Sequence, residues 1–598
     1  MGEKLVRESS RVKSSYDFEL SINRENEVVY DYTYPKDRKL NGIVFIIPGF
    51  GADTNSDYAQ KLRDHIAHKF GVIAVSTIYH CFYSRPENGA KLFLDESDEK
   101  LLIEKLKHFS ISSITNKIQE ILFDLDSKIQ ILKDNGKVAQ NIKVVQPMTL
   151  VPKNDEYQNF GVMQALDHVN VLKDIKQKNF DFIDNYPTIL MGSSHGGYVA
   201  NLVAKITPSL IDCVIDNSSY IKPPLNFIIG KENNFLDPEY VNTYGDNVLA
   251  HCFTKTKWSK DENSFYHFSK DRYEIRDLSN KNHNELIAKK SNSKIKYISY
   301  HSTKDTIAPY KDKEEFYKEL NNLGFDAELK TISDSDQIDG RFIKSLKHGL
   351  DMSLKELANV ELPNALNVKH SHNNSEIEPI SYECDSVKYN FEEINGVYSA
   401  TLSPIKNIEE AVVDRFEKNM KYFENDQPEL YAKLASFDSA IEQDLYQNRY
   451  DLVFNNNNFD VKEFETGNYL YGCNSKKYAY EVGEKLKNKI DKFIFFGIGL
   501  GVHLENILKN SEAKNCLIIE DDLELFKLST FVTPYYKLAK SSDLYFSVFD
   551  DEESFSKTAK LFFEDIKDGK KDLNSFEMNN NYKNKVLQLS NVVSELAN

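Results

Sequence analysis

The sequence predicts an α/β protein in two parts, each built around a mostly parallel sheet. Fully apolar runs of strand length, such as 42–47 and 188–191, alternate with segments whose apolar residues recur at helical spacing, such as 58–70. Two of the strands end in glycine-rich turns that lead into helices, at 192–196 and at 497–501. A strand, a turn and a helix in this order are typical of parallel sheets with crossover helices.

Length and composition limit the classes of protein that the chain can belong to. At 598 residues, with 40% hydrophobic content, it is long enough for several globular units. The 75 basic and 92 acidic residues give a net charge of −17, which argues against nucleic acid or an anionic membrane as the main partner. No run approaches the roughly 18 apolar residues of a membrane span, and the N-terminus lacks the apolar core of a secretory signal. The six cysteines form no CxxC pair, so we expect free thiols and a cytoplasmic protein.

The first part opens with strands and helices in alternation. The apolar strand 42–47 ends in the loop 48–51, which reads Pro-Gly-Phe-Gly. The helix predicted over 58–70 is capped by Gly71, and an apolar strand over 72–78 follows it. This order already predicts a parallel sheet.

Two insertions interrupt the alternation. Residues 84–160 are charged and lysine-rich, with a helical middle from about Lys100 to Lys133, and residues 222–292 are irregular. The first insertion is either a cap that shapes a substrate pocket or a solvated helical excursion.

The stretch from Thr188 to Ile206 carries the strongest chemical signal. The strand 188–191 leads into Gly-Ser-Ser-His-Gly at 192–196, and the spacing predicts a helix over 197–206. This is the pattern of the nucleophile elbow of α/β-hydrolases, a sharp turn with a serine at its apex, and only Ser194 fits its register. The alternative interpretation is a plain helix N-terminus with Ser194 as its cap.

The loop after the strand 42–47 predicts a second part of the hydrolase site. In this fold such a loop supplies one backbone N–H of the oxyanion hole, and the residue after the nucleophile supplies the other. The donors here are His195 and either Phe50 or Gly51, of which we assign Gly51. The alternative is an ordinary strand-to-helix turn.

An acid and a base follow the serine in the order expected for this fold. A strand over 294–300 precedes Asp305, and His348 comes after a helix at 311–323 and a strand at 327–332. We assign Ser194 as nucleophile, His348 as base and Asp305 as the acid that orients the base. Three residues compete for these roles, namely Asp216 as the acid and His195 and His301 as the base.

These motifs predict an α/β-hydrolase domain over residues 1–360, and its motifs are similar to those of a known family. The chain resembles an uncharacterised bacterial family whose genes lie among those for flagellin glycosylation and surface glycans. The resemblance covers about residues 15–360 and implies an α/β-hydrolase fold in a glycan context. It rests on YQNFGVMQALDHVNVL (157–172), GSSHGGYVANLVAKITP (192–208), DNSSY (216–220), YISYHSTKD (297–305) and IDGRFIKSLKHGLDMS (338–353).

The second part begins after a stretch in which apolar periodicity lapses, so 361–397 is predicted to be a linker and 398–598 a smaller Rossmann-like module. A strand at 492–496 runs into Gly497, Gly499 and Gly501, and the next strand ends at Glu520. This is a Rossmann-type arrangement, in which the glycines approach a phosphate and the acid meets a ribose. Ordinary tight packing explains the glycines equally well.

This second part resembles the N-terminal region of the motility-associated factor (Maf) family. Members are assigned as glycosyltransferases that attach nonulosonic acids, such as pseudaminic or legionaminic acid, to serine and threonine of flagellin. The chain ends at Asn598, before the large central domain of such transferases, so the resemblance implies membership of the pathway. It rests on RFEKNMKYFENDQPELYAKL (415–434), FFGIGLGVHLENIL (495–508) and LIIEDDLELFKLSTFVTPYY (517–536).

Together these observations predict a serine hydrolase or acyltransferase that needs no metal or cofactor and acts on an acylated sugar. The C-terminal module is expected to recruit flagellin or a nucleotide sugar. A non-catalytic scaffold of the glycosylation machinery and a Maf-type glycosyltransferase are the alternatives.

Overall fold

A computed structural model of the chain describes residues 4–51, 56–111, 117–368, 377–443, 445–564 and 572–597. The chain forms two compact units. The first comprises Met1–Asp385 and Tyr389–Thr401, and the second Ser386–Lys388 and Leu402–Asn598.

The strands up to Pro404 belong to three sheets. In chain order they are β1 (Leu5–Val12), β2 (Val28–Pro35), β3 (Ile43–Ile47), β4 (Ile73–Ile78), β5 (Lys91–Phe93), β6 (Val144–Val151), β7 (Thr188–Ser193), β8 (Cys213–Asn217), β9 (Tyr240–Tyr244), β10 (Val248–Thr254), β11 (Lys296–Ser302), β12 (Asp326–Ile332), β13 (Ile380–Cys384), β14 (Val387–Ile394) and β15 (Val397–Pro404). The helices over this part are α1 (Asp57–Phe70), α2 (Glu96–His108), α3 (Ile118–Asp134), α4 (Val162–Gln177), α5 (His195–Ile206), α6 (Leu225–Ile228), α7 (Lys231–Asn234), α8 (Lys270–Arg276), α9 (Lys281–Ser291), α10 (Tyr310–Asn322) and α11 (Leu354–Ala365).

The main sheet has eight strands in the order β1-β2-β4-β3-β7-β8-β11-β12. Six of its strands run parallel to one another, namely β3, β4, β7, β8, β11 and β12. Strand β2 pairs in antiparallel fashion with β1 on one side and β4 on the other. The central strands β3 and β8 are buried at every residue, which explains their unbroken apolar sequence. Because parallel strands end at one edge, the loops after β3, β7, β11 and β12 meet there.

The two insertions predicted at 84–160 and 222–292 fold together. They supply β5, β6, β9 and β10, which form one sheet in the order β5-β6-β10-β9 with its own hydrophobic core. The predicted helical middle of the first insertion is present as α2 and α3. We call this second layer the cap. The first insertion is therefore a folded cap element, and the alternative of a solvated excursion was wrong.

The prediction of a linker over 361–397 was wrong. Helix α11 extends into this range, and β13, β14 and β15 form a three-stranded sheet over its later part, while 369–376 lies outside the described residues. Ile380, Tyr382 and Cys384 are buried and alternate with more exposed residues. This period of two is a strand signal that the polar residues between them obscured.

The second unit is a smaller α/β module. Its remaining strands are β16 (Tyr450–Asn455), β17 (Asn458–Glu463), β18 (Lys492–Phe496), β19 (Asn515–Glu520), β20 (Asp543–Val548) and β21 (Leu573–Glu577). Its helices are α12 (Ile408–Asp426), α13 (Pro428–Glu442), α14 (Ser475–Lys485), α15 (Leu504–Ser511), α16 (Leu523–Val532), α17 (Tyr535–Leu538), α18 (Glu552–Phe563) and α19 (Lys583–Ala597). Strands β20, β19, β18 and β21 form a fully parallel sheet in that order.

All six cysteines are free. Within the described residues, the chain has no helix of the length and apolarity that a membrane crossing requires.

A buried ion pair joins distant parts of the first unit. Glu19 and Arg276, both with fully buried side chains, are bonded through two oxygens, and the shorter contact measures 2.5 Å. The Tyr389 hydroxyl also donates to Glu19, at 2.9 Å, and Arg276 donates to the carbonyl of Asn159. The N-terminal segment, the cap boundary and strand β14 thus depend on one charged cluster.

We predict that Arg276→Met destabilises the first unit by about 3 to 5 kcal/mol, because it leaves the Glu19 carboxylate buried without a counter-charge. The matched control is Arg7→Met, which removes an exposed arginine paired with Asp64 and should cost about 1 kcal/mol or less. Urea denaturation followed by circular dichroism measures both. Equal losses in the two variants would contradict the prediction.

Candidate active site

Ser194 lies at the apex of the turn between β7 and α5, in a conformation that serine rarely adopts. Its φ is 53° and its ψ −121°, and its backbone N–H donates to the Asn217 carbonyl at 2.7 Å. A β-carbon on Gly192 would lie 2.4 Å from the Gly196 carbonyl, and one on Gly196 would lie 2.0 Å from the Ile47 carbonyl. The two glycines are therefore required by the close approach of backbone segments, which holds the strained serine in place.

The structure brings Ser194, His348 and Asp305 into one chain of hydrogen bonds. The Ser194 hydroxyl lies 2.7 Å from Nε2 of His348, and Nδ1 of His348 lies 2.8 Å from Oδ2 of Asp305. With Nδ1 facing a carboxylate, Nδ1 carries the proton and Nε2 is free to accept one from the serine. A histidine that can take the serine proton, and is oriented by an acid, is the arrangement of a serine nucleophile.

Asp305 is held as a carboxylate by its surroundings. Burial opposes its charge, but the hydrogen bond and charge of His348 and two backbone N–H donors keep the pKa of Asp305 below its usual value. Those donors are Ile307 and Ala308, each 2.9 Å from Oδ1. The acid therefore stays ionised and fixed in direction.

The residues that competed for these roles are engaged elsewhere. Asp216 is fully buried and bonded to Lys313 through both oxygens, at 3.0 and 3.1 Å. Nε2 of His301 lies 2.9 Å from the Ala308 carbonyl and 3.6 Å from Oδ2 of Asp305, so this histidine packs beside the acid. Burial and the charge of Arg85 lower the pKa of His195 to about 3, and its Nε2 lies 2.7 Å from Gln164.

The loop after β3 packs directly against the serine turn. A β-carbon on Gly49 would lie 3.0 Å from the Ser193 carbonyl and 3.2 Å from the β-carbon of Ser194. The Phe50 ring stacks on the His195 ring with centroids 4.1 Å apart, and Gly51 has a φ of +83°. Gly51 and His195, the assigned oxyanion donors, are thus on adjoining segments, and Phe50 remains the alternative to Gly51.

Sequence reasoning missed the residues that surround the triad. The centroid of the Tyr220 ring lies 6.0 Å from that of the His348 ring. The Arg85 guanidinium lies 4.7 Å over the Phe50 ring, and Asn217 donates from its side chain to the Gly349 carbonyl at 2.9 Å. Arg85 comes from the first insertion, so no spacing along the chain connects it with the loop it covers.

The glycine turn of the second unit is filled by side chains of the same unit. A β-carbon on Gly497 would lie 2.6 Å from the Tyr582 ring, and one on Gly499 2.6 Å from the Tyr471 hydroxyl; one on Gly501 would lie 2.7 Å from Thr533. These contacts are those of ordinary tight packing, which the sequence analysis gave as the alternative to nucleotide binding.

Glu520 lines a cavity at the end of this sheet, but its carboxyl group is bonded to the glycine turn itself. Its carboxylate accepts the backbone N–H of Ile498 at 2.9 Å and of Gly499 at 3.3 Å, and the Tyr582 hydroxyl at 2.7 Å. Because the Glu520 carboxyl group already accepts hydrogen bonds from these N–H groups, they are not free for a phosphate. The cofactor role given to Gly497, Gly499, Gly501 and Glu520 therefore disagrees with the geometry.

Two family models match the chain, one over each of its two parts. A family model described as "Protein of unknown function (DUF2920)" matches residues 8–400. The chain belongs to this family. A model of the glycosyltransferase Maf N-terminal domain matches residues 474–590, which confirms the two-part architecture expected from the motifs. No curated protein matches the chain.

The solved structures similar to the chain include two peptidases and an esterase. A Bacteroides ovatus protein assigned as a dipeptidyl aminopeptidase IV is 11% identical, with a TM-score of 0.32; the match covers 61% of this chain and 36% of that one. The Pyrococcus horikoshii acylaminoacyl peptidase is 11% identical, with a TM-score of 0.32 and coverages of 62% and 43%. Esterase Est22 is 12% identical, with a TM-score of 0.29 and coverages of 56% and 74%. The chain thus spans less than half the length of the two peptidases.

We predict that Gly196→Ala destabilises the first unit by about 3 kcal/mol or more, because its methyl group meets backbone that cannot move aside. The control is Gly136→Ala, where φ is +64° and nothing lies within 4 Å of the added carbon. That change should cost about 1 kcal/mol, the price of left-handed backbone for alanine. Urea denaturation of both variants checks this, and a Gly196→Ala loss no larger than the control would contradict it.

Proposed function

We propose that the first unit is a serine hydrolase or acyltransferase that acts on an acylated sugar. The observation that carries the proposal is the chain of hydrogen bonds from Ser194 through His348 to Asp305. It supplies a nucleophile, a base and an orienting acid at the end of the parallel sheet where ligands of α/β folds bind.

The reaction would proceed in two steps. Nε2 of His348 takes the proton of the Ser194 hydroxyl as its oxygen attacks the ester carbonyl, and the carbonyl oxygen becomes an oxyanion facing the N–H groups of Gly51 and His195. The carbon–oxygen bond to the leaving alcohol then breaks, and His348 returns the proton to that alcohol. An acyl-serine remains.

The second step repeats the first with another nucleophile. Water, or a sugar hydroxyl, gives its proton to His348 and attacks the acyl-serine, and Ser194 leaves with the proton. Water makes the protein a hydrolase and a hydroxyl makes it an acyltransferase. Asp305 stabilises the imidazolium of His348 in both steps.

The sugar substrate is supported by the second unit. Its match to the Maf N-terminal domain supports a glycosylation context, and we propose nonulosonic acids of flagellin or surface glycans as the acylated sugars. Cytoplasmic action, alongside the machinery that decorates flagellin, agrees with six free thiols.

For the second unit we propose recruitment of flagellin rather than a nucleotide sugar. A cavity of about 530 Å³ at the end of its parallel sheet is lined by Glu463, Glu520, Asp521 and Asp522, and none of its lining residues within the described part of the unit is a lysine or arginine. Arg449 and Lys585 nearby are paired with Asp522 and Asp521, so the described lining offers a phosphate no unpaired cation.

We predict that the protein hydrolyses p-nitrophenyl acetate and that Ser194→Ala and His348→Ala each lower kcat by at least about 10³-fold. Asp305→Asn should lower kcat by about 10²- to 10⁴-fold, because the imidazole loses its fixed tautomer. Ser193→Ala is the matched control and should retain activity, since Ser193 is outside the hydrogen-bond chain. Absorbance at 405 nm, roughly the p-nitrophenolate maximum, gives the rates.

Two results would contradict the proposal. Activity that survives in Ser194→Ala would place the reaction elsewhere, and a folded wild-type chain without activity on any ester would favour a non-catalytic scaffold of the glycosylation machinery.

A further inference from the structure

Asn217 contacts the backbone of the nucleophile and the backbone beside the base. It is the last residue of β8, and it is 1% exposed. Strand β8 pairs in parallel with β7, and Asn217 lies opposite Ser193, the residue before the nucleophile. The end of β8 is therefore directly beside the serine turn.

The backbone carbonyl of Asn217 contributes to holding the nucleophile. It accepts the N–H of Ser194 at 2.7 Å, while Ser194 has the strained φ of 53°. Since this acceptor belongs to the backbone, a substitution at position 217 leaves the group in place. The role of the Asn217 side chain can therefore be tested separately.

The side chain of Asn217 reaches the segment after β12 that carries the base. Its Nδ2 donates to the Gly349 carbonyl at 2.9 Å, and Gly349 directly follows His348. Its Oδ1 accepts the Ser218 hydroxyl at 3.0 Å, which fixes the direction in which the amide points. The donor is buried, so its bond to the Gly349 carbonyl is sheltered from competition by water.

His348 is held from the ends of two strands of the main sheet. The chain turns sharply after this residue, since Gly349 has a φ of +76°. On one side, Ser302 at the end of β11 donates from its hydroxyl to the Leu346 carbonyl at 2.6 Å. On the other side, Asn217 at the end of β8 donates to the Gly349 carbonyl. The backbone around the base thus depends on two side chains of the sheet edge.

We propose that Asn217 is a positioning residue that sets the distance between the Ser194 hydroxyl and Nε2 of His348. Its carbonyl holds the backbone of the nucleophile, and its amide holds the backbone beside the base. This inference rests on the proposed function and adds one residue to the groups that perform it. The distance is 2.7 Å, and a displacement of about 1 Å in a reacting group costs about 10²-fold in rate. Asn217 itself transfers no proton.

The test compares Asn217→Leu with the matched control Asn170→Leu in the full-length protein. Leucine has the branched shape of asparagine without its hydrogen-bonding groups. Asn170 is also buried, and its side chain donates to a backbone carbonyl at 2.9 Å, that of Tyr398 on β15, outside the main sheet. Both variants should unfold at a lower urea concentration than the wild type. Only Asn217→Leu should lower kcat for p-nitrophenyl acetate, by about 10- to 100-fold, with KM within about twofold of the wild-type value.

Asn217→Ala is a second variant, because it removes the amide without adding bulk at a buried position. It should show the same loss of kcat and the same unchanged KM. Circular dichroism shows which variants are folded, and rates are compared per folded protein. A side chain that only stabilises the fold would lower the urea midpoint without changing kcat.

The outcomes separate this inference from the function on which it rests. An active wild type whose Asn217→Ala variant keeps kcat within about twofold overturns the positioning role alone. A raised KM with unchanged kcat, an equal loss of kcat in Asn170→Leu, or failure of both Asn217 variants to fold also overturns it. A folded wild-type chain that does not hydrolyse the ester overturns the proposed function, and this inference with it.

Discussion

The geometry of the first unit depends on backbone segments that approach too closely for any side chain to fit between them. Gly196 lies against the Ile47 carbonyl, Gly192 against Gly196, and Gly49 against Ser193. These contacts fix the serine turn to the oxyanion loop, and they hold Ser194 in a backbone conformation that would otherwise relax. Asp305 and His348 lie on the loops after β11 and β12, at the same edge of the sheet as Ser194. The triad therefore forms only when these strands pair in the correct register.

Local sequence patterns were enough to predict most strands of the main sheet and the positions of the serine turn, the acid and the base. The strands predicted at 42–47, 72–78, 188–191, 294–300 and 327–332 lie within about two residues of β3, β4, β7, β11 and β12, whereas the antiparallel pair of β1 and β2 was not predicted. The serine was chosen because a turn that needs two glycines permits one register, and the acid and base were chosen by chain order. The structure brings the chosen residues together at hydrogen-bond distances. Phe50 and Gly51 could not be separated, since either residue presents only its backbone N–H to the site.

Contacts between distant segments account for what the sequence did not reveal. The cap sheet pairs β6 with β10, about 100 residues apart, and Arg85 meets Glu239 and Thr254 only once that sheet has formed. Glu520 was predicted to meet a ribose, but it satisfies the backbone of the turn itself. A short-range pattern shows that a glycine turn exists and does not show which group fills it.

The measurement that tests the central claim most directly is the reaction of the full-length protein with a fluorophosphonate probe, followed by peptide mapping. Serine hydrolases react with such probes only where a base activates the serine. The account predicts one adduct, on Ser194, that is lost in His348→Ala while the adjacent Ser193 stays unmodified. An adduct on Ser193, labelling that persists in His348→Ala, or no adduct on the folded wild-type chain would contradict it.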